Sequence, residues 1–234
     1  MGGEGIEWIV NRQVRRWEQE RKERQPATPA RPCITVSREF GSLGAKVAEA
    51  VARHLSYTFY DQELVTQIAQ SEKVASTLLN SVDERVRDQI SEWVAEQFGK
   101  GQVTASQFIQ SLTRVIRTIG YHGAAVIVGR GAQFILDPSC TLRVRAFAPL
   151  EDRVRHIASS RGVSMQEATA LVAEMDRQRA EFYQKFFGRD WAAAEGYDLF
   201  VNTSAFPPEA ATRLVLKAFE EKFPAHACGE RRSA

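Results

Sequence analysis

The ten residues from 37 to 46 could bind phosphate. Three β-prone residues, Ile34-Thr35-Val36, lead into them, and an amphipathic segment, Ala45–Leu55, follows. A strand, a glycine-containing loop and a helix in this order build an anion site, because loop N–H groups gather at the positive end of the helix. The predicted phosphate-binding residues are Ser37, Arg38, Glu39, Phe40, Gly41, Ser42, Leu43, Gly44, Ala45 and Lys46.

This loop lacks the lysine of the common phosphate-loop pattern. That pattern, G-x-x-x-x-G-K-[ST], uses the lysine on the terminal phosphates and the hydroxyl on magnesium. Here Gly44 stands near the lysine position, and Ala45 follows it. Arg38 and Lys46 are nearby cations that could replace the lysine, and we predict a catalytic role for both. The alternative is a glycine turn that binds no phosphate.

Other charged residues are predicted at strand ends or on helices. Asp61 closes a short strand and either faces a substrate or caps the next helix. Arg130, between two glycines, either offers a fork for phosphate or forms a structural ion pair. Arg177 and Arg179 belong to an arginine-rich helical hairpin. They either surround a moving phosphoryl group or form a solvated helix face.

Five short apolar segments separated by helical patterns predict an α/β fold, with a five-stranded parallel sheet and helices on both faces. Ligands of such sheets bind beyond the carboxyl ends of the strands. The strands are predicted at Cys33–Val36, Thr58–Tyr60, Ala124–Val128, Leu142–Ala148 and Tyr197–Val201. Helices are predicted at Ile6–Arg24, Ala45–Leu55, Glu63–Gln70, Asp83–Phe98, Ser106–Ile119 and Glu151–Ser160, after Ser164 to near Gly188, and from Pro207 onward.

The sequence also predicts a domain organisation. Residues 1–31 form a helix and a proline-rich linker, 32–224 form the main domain, and 225–234 form a flexible tail. The helical block at 62–122 is longer than a crossover needs, so it forms a substrate-side subdomain or a lid. The N-terminal helix docks on the domain or on a second copy, which would make a homo-oligomer.

Composition limits the class of protein. Hydrophobic residues make up 44% and charged residues 26% of the 234 residues, and the net charge is +2. These values are typical of globular domains and give no basic field for nucleic acid. Three scattered cysteines exclude a disulfide scaffold or a zinc site, so we assign no metal-ligating residue. No apolar run is long enough to span a membrane or to form a signal peptide. We expect a cytoplasmic protein with a small-molecule partner and neither nucleic-acid nor membrane binding.

Six motifs together resemble one family. They are Ile-Thr-Val-Ser-Arg-Glu-Phe-Gly-Ser at 34–42, Phe-Tyr-Asp at 59–61, Val-Gly-Arg-Gly-Ala at 128–132, Arg-Val-Arg-Ala-Phe-Ala-Pro at 143–149, Tyr-Gln-Lys-Phe-Phe-Gly-Arg-Asp-Trp at 183–191 and Tyr-Asp-Leu-Phe-Val-Asn-Thr-Ser at 197–204. In this order they are similar to the cytidylate kinase-like family, a branch of the nucleoside monophosphate (NMP) kinases within the P-loop fold.

The resemblance implies a three-layer sandwich with an NMP-binding region within 62–122 and a lid at about 150–190. It implies transfer of the ATP γ-phosphoryl group to CMP or dCMP with Mg²⁺. Asp61 and Arg130 would bind the monophosphate nucleotide, and Arg177 with Arg179 would bear on the phosphates. The chain departs from the family pattern at Gly44, Ala45, Gly131, Gln178 and Glu181.

Three functional hypotheses follow. The first is a nucleoside monophosphate kinase for a pyrimidine nucleotide. The second is a catalytically weak or inactive nucleotide sensor, with the N-terminal helix as its output surface. The third is a kinase for another small substrate. The departures at Gly44 and Ala45 affect catalysis more than binding, because backbone N–H groups do not depend on side-chain identity.

Overall fold

The computed structural model describes residues 2–23, 31–98 and 105–224. The predicted flexible tail, 225–234, and most of the proline-rich linker lie outside these residues. The chain divides into two compact units, one of residues 1–31 and 60–124 and the other of residues 32–59 and 125–234. The division groups the N-terminal helix with the helical insertion. The two units are called here the helical unit and the sheet unit.

Five strands form one sheet in the order β2-β3-β1-β4-β5. Their bounds are Cys33–Arg38 for β1, Thr58–Tyr60 for β2, Ala125–Val128 for β3, Thr141–Phe147 for β4 and Leu199–Asn202 for β5. Strand β1 is parallel to both β3 and β4, and Val36 pairs with Val128 and Val144. Residues 33–37 are buried, as expected for a central strand covered on both faces. The predicted α/β class and parallel sheet with flanking helices are confirmed.

Most helices of the sheet unit begin and end close to the predicted positions, and the short helix at Ala132–Ile135 was not predicted. The helices of this unit are α2 (Gly44–His54), α7 (Ala132–Ile135), α8 (Leu150–Arg161), α9 (Met165–Phe187) and α10 (Pro208–Lys222). The predicted capping box is present, because the Ser164 hydroxyl accepts from the Glu167 N–H and the Glu167 side chain accepts from the Ser164 N–H. Gly188 in the left-handed region ends α9.

The helical unit consists of α1 (Gly2–Glu23), α3 (Gln62–Gln70), α4 (Glu72–Leu79), α5 (Glu84–Phe98) and α6 (Ala105–His122). Helix α6 contacts α3, α4 and α5. The sequence did not predict α4. Ser71 ends α3, and its hydroxyl accepts from the Val74 N–H at 3.4 Å to begin α4. Ser71 thus caps the end of α3 and the start of α4, and no glycine or proline marks the boundary.

Helix α1 packs on its own unit. Trp17 is buried and stacks on His122 with 3.8 Å between ring centroids. The Arg21 guanidinium donates to the Ser81 carbonyl oxygen. Trp8 is 61% exposed. In the structure, the N-terminal helix therefore docks on the rest of the helical unit. Formation of a homo-oligomer through this helix stays a prediction.

Candidate phosphate-binding site

The loop between β1 and α2 turns through two left-handed residues. Gly41 has φ +86°, and a Cβ there would lie 2.8 Å from the Arg153 carbonyl oxygen. Leu43 has φ +60°, a conformation that a leucine adopts at a cost of about 1 kcal/mol. Leu43 occupies the position of the second glycine in the common phosphate-loop pattern. The backbone thus keeps the glycine conformation although the side chain is leucine.

Four N–H groups of this turn have no acceptor among the residues that the structure describes. The Glu39 N–H donates to the Ala146 carbonyl at 3.1 Å, and the Ser42 N–H donates to the Glu39 carbonyl at 3.2 Å. The four N–H groups without an acceptor lie at or just before the N-terminus of the 11-residue helix α2, where the helix dipole adds positive potential. These groups belong to Gly41, Leu43, Gly44 and Ala45. They are suited to phosphate oxygens.

The Glu39 carboxylate holds the loop to β4 and α8. Its Oε1 accepts from Arg145 Nη2 at 3.3 Å, and its Oε2 accepts from the Ala148 N–H at 3.2 Å. Arg153 Nε lies 3.3 Å from the same Oε2. Both arginine side chains are at most 10% exposed. Each therefore needs an anionic partner, and Glu39 acts here as a brace while its backbone contributes to the loop.

Two hydroxyl groups fix the turn from the other side. Ser42 Oγ donates to the Glu39 carbonyl at 2.9 Å. The Thr203 hydroxyl, just after β5, donates to the Ser42 carbonyl. The Ser42 hydroxyl is thus used inside the loop, and the residue after Gly44 is an alanine. The loop presents no hydroxyl at the usual magnesium position.

Arg38 lies beside the position where the usual lysine would begin. A Cβ on Gly44 would be 2.7 Å from Arg38 Cβ and 2.6 Å from Ala146 Cβ. The first atoms of the Arg38 side chain therefore occupy the space of a side chain at 44. Lys46 is exposed on α2. Burial of the His156 imidazole and then the charge of Lys46 lower the pKa of that histidine.

Helices α8 and α9 carry a cluster of charges with little solvent exposure to the loop. Arg153 Nη1 donates to the Phe40 carbonyl at 3.3 Å and to Asp176 Oδ2. Asp176 Oδ1 accepts from the Phe40 N–H at 3.2 Å and from Arg179 Nη1 at 3.1 Å. Arg179 Nε is buried without an acceptor among the described residues. Burial lowers the pKa of Arg179, and Asp176 opposes this shift.

The α8–α9 hairpin also covers the loop with apolar side chains. Phe40 packs against a small core that joins the two helices. The buried members of this core are Val154, Ile157, Ala168 and Val172. The Arg161 guanidinium lies 5.2 Å from the centroid of the Phe40 ring. The predicted lid region thus contacts the phosphate-binding loop through both charged and apolar residues.

Arg130 sits in a run of three left-handed residues. Gly129, Arg130 and Gly131 have φ of +75°, +55° and +75°. A Cβ on Gly131 would lie 2.2 Å from the Phe187 ring, so the glycine permits this packing. The Arg130 guanidinium lies 5.5 Å from the Phe182 ring centroid. Its pKa is lowered by burial, and the charge of Arg179 contributes. Arg130 and Arg179, which are both predicted site residues, therefore lie near each other.

Arg177 is placed differently from Arg179. It is exposed, and its Nη2 donates to Glu174 at 2.8 Å while its Nη1 donates to Glu181. These contacts raise the pKa of Arg177 and lower that of Glu174 to about 2. Arg179 instead faces Asp176 and the loop. A catalytic role of Arg177 stays a prediction, and in this structure its charge is satisfied on its own helix.

Asp61 caps a helix of the helical unit. Its Oδ1 accepts from the Leu64 N–H at 2.7 Å, which begins α3. The capping alternative is therefore present, and contact with a nucleotide stays a prediction. The same unit contains a cavity of about 830 Å³. Its polar lining includes Gln70, Glu72, Gln107, Ser111 and Arg114.

Sequence reasoning missed the roles of Glu39, Arg145, Arg153 and Asp176. Arg145 donates to the Trp191 carbonyl at 2.9 Å and lies 4.0 Å from the centroid of that ring. One signal was available, because arginines alternate with apolar residues in a strand expected to be covered. A buried arginine requires a carboxylate partner, but the sequence does not say which one.

The described residues contain no group of three His, Cys, Asp or Glu side chains that could hold a metal ion. Within the same residues, no helix is long and apolar enough to cross a membrane. With Ala45 after Gly44, the donor set fits phosphate through N–H groups and arginines. It does not fit the usual protein ligand of Mg²⁺ in such loops.

The strand–loop–helix and the parallel sheet define an α/β protein, and the unpaired N–H groups of the loop are suited to an anion. More narrowly, the chain belongs to the cytidylate kinase-like family, whose profile matches residues 33–205. It is similar to the cytidylate kinase of Thermococcus kodakarensis, with 30% identity over 105 residues, which is 45% of this chain and 54% of that protein. The cytidylate kinase of Pyrococcus horikoshii is 30% identical over 110 residues, which is 47% of this chain and 57% of that protein.

The chain therefore spans about half the length of the curated relatives it matches. A crystal structure of an uncharacterized protein from Eubacterium ventriosum is also similar. Its TM-score is 0.65 at 22% sequence identity, and the match covers 82% of this chain and 99% of that one. This likeness shows the fold.

Proposed function

We propose that this protein is an ATP-dependent phosphotransferase that acts on CMP, dCMP or a related nucleotide. The supporting observation is the loop with four unengaged N–H groups at the start of α2, braced by Glu39 and overlaid by arginines. ATP bound there would supply the phosphoryl group. The acceptor would be bound by Asp61, Arg130 and the insertion at 62–122. A cytoplasmic location remains part of the prediction.

The residues of this chain have separable tasks in the proposal. The loop N–H groups hold the phosphate oxygens in a fixed frame, which lowers the reorganisation needed as charge develops. Arg179 and Arg130 supply positive charge near the transferring group. The loop offers no hydroxyl at the usual Mg²⁺ position, where Ala45 stands.

Arg38 is the better candidate for the absent lysine. Its Cβ lies 2.7 Å from the ideal Cβ position of residue 44, so it starts where the lysine would start. Lys46 lies further along α2 and faces solvent. Arg38 stands where the usual pattern has its first glycine, and Gly44 stands where it has the lysine, so the two residue types have changed places. This exchange keeps one cation at the site.

The test is a coupled ADP-release assay with ATP, Mg²⁺ and a panel of acceptors that includes CMP, dCMP, UMP and shikimate. Arg38→Ala should lower kcat by about 10²–10³-fold, the usual loss for one transition-state donor. Lys46→Ala should cause a smaller loss. Lys217→Ala is the control, because Lys217 pairs with Glu221 on the exposed face of α10. An Arg38→Ala enzyme with unchanged kcat would exclude this assignment.

One observation favours the second candidate, a catalytically weak or inactive nucleotide sensor. The positions of the usual lysine and hydroxyl hold Gly44 and Ala45, which removes two groups that act on the γ-phosphate and its metal. The N–H groups that bind phosphate do not depend on those side chains. Calorimetric binding of ATP or CMP with no ADP released from any acceptor would favour the sensor over the kinase.

A further inference from the structure

The Asp176 carboxylate accepts hydrogen bonds from the candidate phosphate-binding loop and from two arginines beside it. Its Oδ1 accepts from the Phe40 N–H at 3.2 Å and from Arg179 Nη1 at 3.1 Å, and its Oδ2 accepts from Arg153. One loop amide and two guanidinium groups thus converge on a single anionic group. This donor set, a backbone N–H with arginines, is the one that recognises phosphate oxygens.

The loop does not depend on Asp176 for its shape. Glu39 holds it to Arg145 and to the Ala148 N–H, and Thr203 holds the carbonyl of Ser42. Arg153 also has acceptors besides Asp176. It donates to the Phe40 carbonyl at 3.3 Å and to the Ala148 carbonyl at 3.1 Å. Removal of the Asp176 carboxylate would therefore leave Arg153 and the loop anchored.

The Asp176 side chain is partly exposed to solvent, and one of its partners, Arg179, has a donor without an acceptor among the described residues. The Asp176 side chain is 24% exposed, whereas that of Arg179 is 12% exposed. Arg179 Nε is buried without an acceptor among the described residues, so Asp176 satisfies Arg179 only in part. Among the residues that the structure describes, three arginines, at 145, 153 and 179, share the two carboxylates of Glu39 and Asp176. The cluster therefore keeps excess positive charge with Asp176 in place.

We propose that Asp176 is an internal competitor for the phosphate site. It occupies the Phe40 N–H, Arg153 and Arg179 until the phosphate chain of a nucleotide displaces it. The phosphate then accepts from these donors, and Asp176 turns to solvent at the edge of α9. This inference rests on the proposed function and concerns regulation of the same site: the resting protein binds polyphosphate more weakly than its donors allow.

The test measures binding of inorganic tripolyphosphate, without base or metal, to the full chain by calorimetry at fixed salt. Asp176→Asn keeps the shape of the side chain and an acceptor for the Phe40 N–H but removes the charge. It should bind tripolyphosphate about tenfold more tightly, because the displaced group is no longer an anion held by two arginines. Glu220→Gln makes an equal change of charge on the exposed face of α10, and this variant should bind as the unaltered protein does.

Equal or weaker binding by Asp176→Asn would overturn the inference and make Asp176 a structural brace. If that variant fails to fold, a second measurement uses the unaltered protein with ¹³C-labelled aspartate carboxyl groups. Tripolyphosphate should then shift the Asp176 resonance toward that of a solvated carboxylate, and an unmoved resonance would refute displacement. If the unaltered protein releases ADP but Asp176→Asn binds tripolyphosphate no more tightly, this inference alone is overturned. Absence of tripolyphosphate binding by both proteins overturns it together with the proposed function.

Discussion

Gly44→Ala should destabilise the protein, although alanine is the better helix former. The added Cβ would lie 2.6 Å from Ala146 Cβ and 2.7 Å from Arg38 Cβ. Both distances are about 1 Å shorter than the ~3.5 Å of an optimal contact between carbon atoms. Neither neighbour is the far end of a flexible chain, because both atoms are attached to backbone in strand β4 or β1.

The size of the effect follows from two opposing contributions. Overpacking by one methyl group costs about 1–3 kcal/mol. Replacing a helical glycine by alanine recovers up to about 1 kcal/mol, and less at the first turn. We expect a net loss of about 1–2 kcal/mol in the free energy of unfolding. Gly44→Lys should lose at least as much, so restoring the usual lysine should not by itself restore a usual phosphate loop.

Urea denaturation followed by circular dichroism measures this loss as a lower midpoint at an unchanged m-value. The matched control is Gly5→Ala, because a Cβ at Gly5 meets nothing within 4 Å and its effect should be neutral or stabilising. The double variant Gly44→Ala/Ala146→Gly removes the closer clash and should show a favourable coupling of about 0.5–2 kcal/mol. A Gly44→Ala protein as stable as the original would refute the crowding of Arg38 against residue 44.

Two further substitutions test the surroundings of the site and the sheet edge. Gly131→Ala should lose at least about 2 kcal/mol in urea denaturation, because its Cβ meets the Phe187 ring at 2.2 Å and its φ of +75° disfavours alanine. Recovery of part of the loss in Gly131→Ala/Phe187→Leu would confirm the clash, and equal stability of single and double variants would contradict it. For Asp198, burial raises the pKa, but hydrogen bonds from Arg143 and Lys222 outweigh it and lower the value from 3.8 to about 2. A lowered carboxyl pKa stabilises the folded state above the unfolded pKa, and about 2 kcal/mol should be lost as the pH falls from about 4 to 2. Asp198→Asn should flatten this part of the stability–pH curve, and a curve of unchanged slope would contradict the assignment.

The behaviour of the N-terminal helix on nucleotide binding distinguishes the kinase from the sensor. As an output surface of a sensor, α1 would have to change its contacts when nucleotide binds. In this structure it is held on its own unit by the Trp17–His122 stack and by the hydrogen bond from Arg21 to Ser81. A kinase needs no such change. The fluorescence of Trp17, compared with that of Trp8, reports on this contact.

Local patterns were enough to predict the strands and the loop. Strand β1 is a continuous apolar run, and two glycines with a following amphipathic segment mark the turn and α2. These features depend on residues that are neighbours in sequence, where steric and hydrogen-bonding preferences act directly. The boundary of α4 at Ser71 was missed because the same residue ends one helix and begins the next.

The sequence by itself determined that a strand, a glycine-containing turn and a helix follow one another from Cys33 to His54, and that arginines gather on a later hairpin. Only the tertiary structure decided which side chains meet there. Asp176 reaches the Phe40 N–H across 136 positions of sequence, and Arg145 reaches Glu39 across 106. Arg177 and Arg179 look alike in sequence, yet only Arg179 faces the loop. Buried charges are stable only with partners, and packing between distant elements, not local preference, selects those partners.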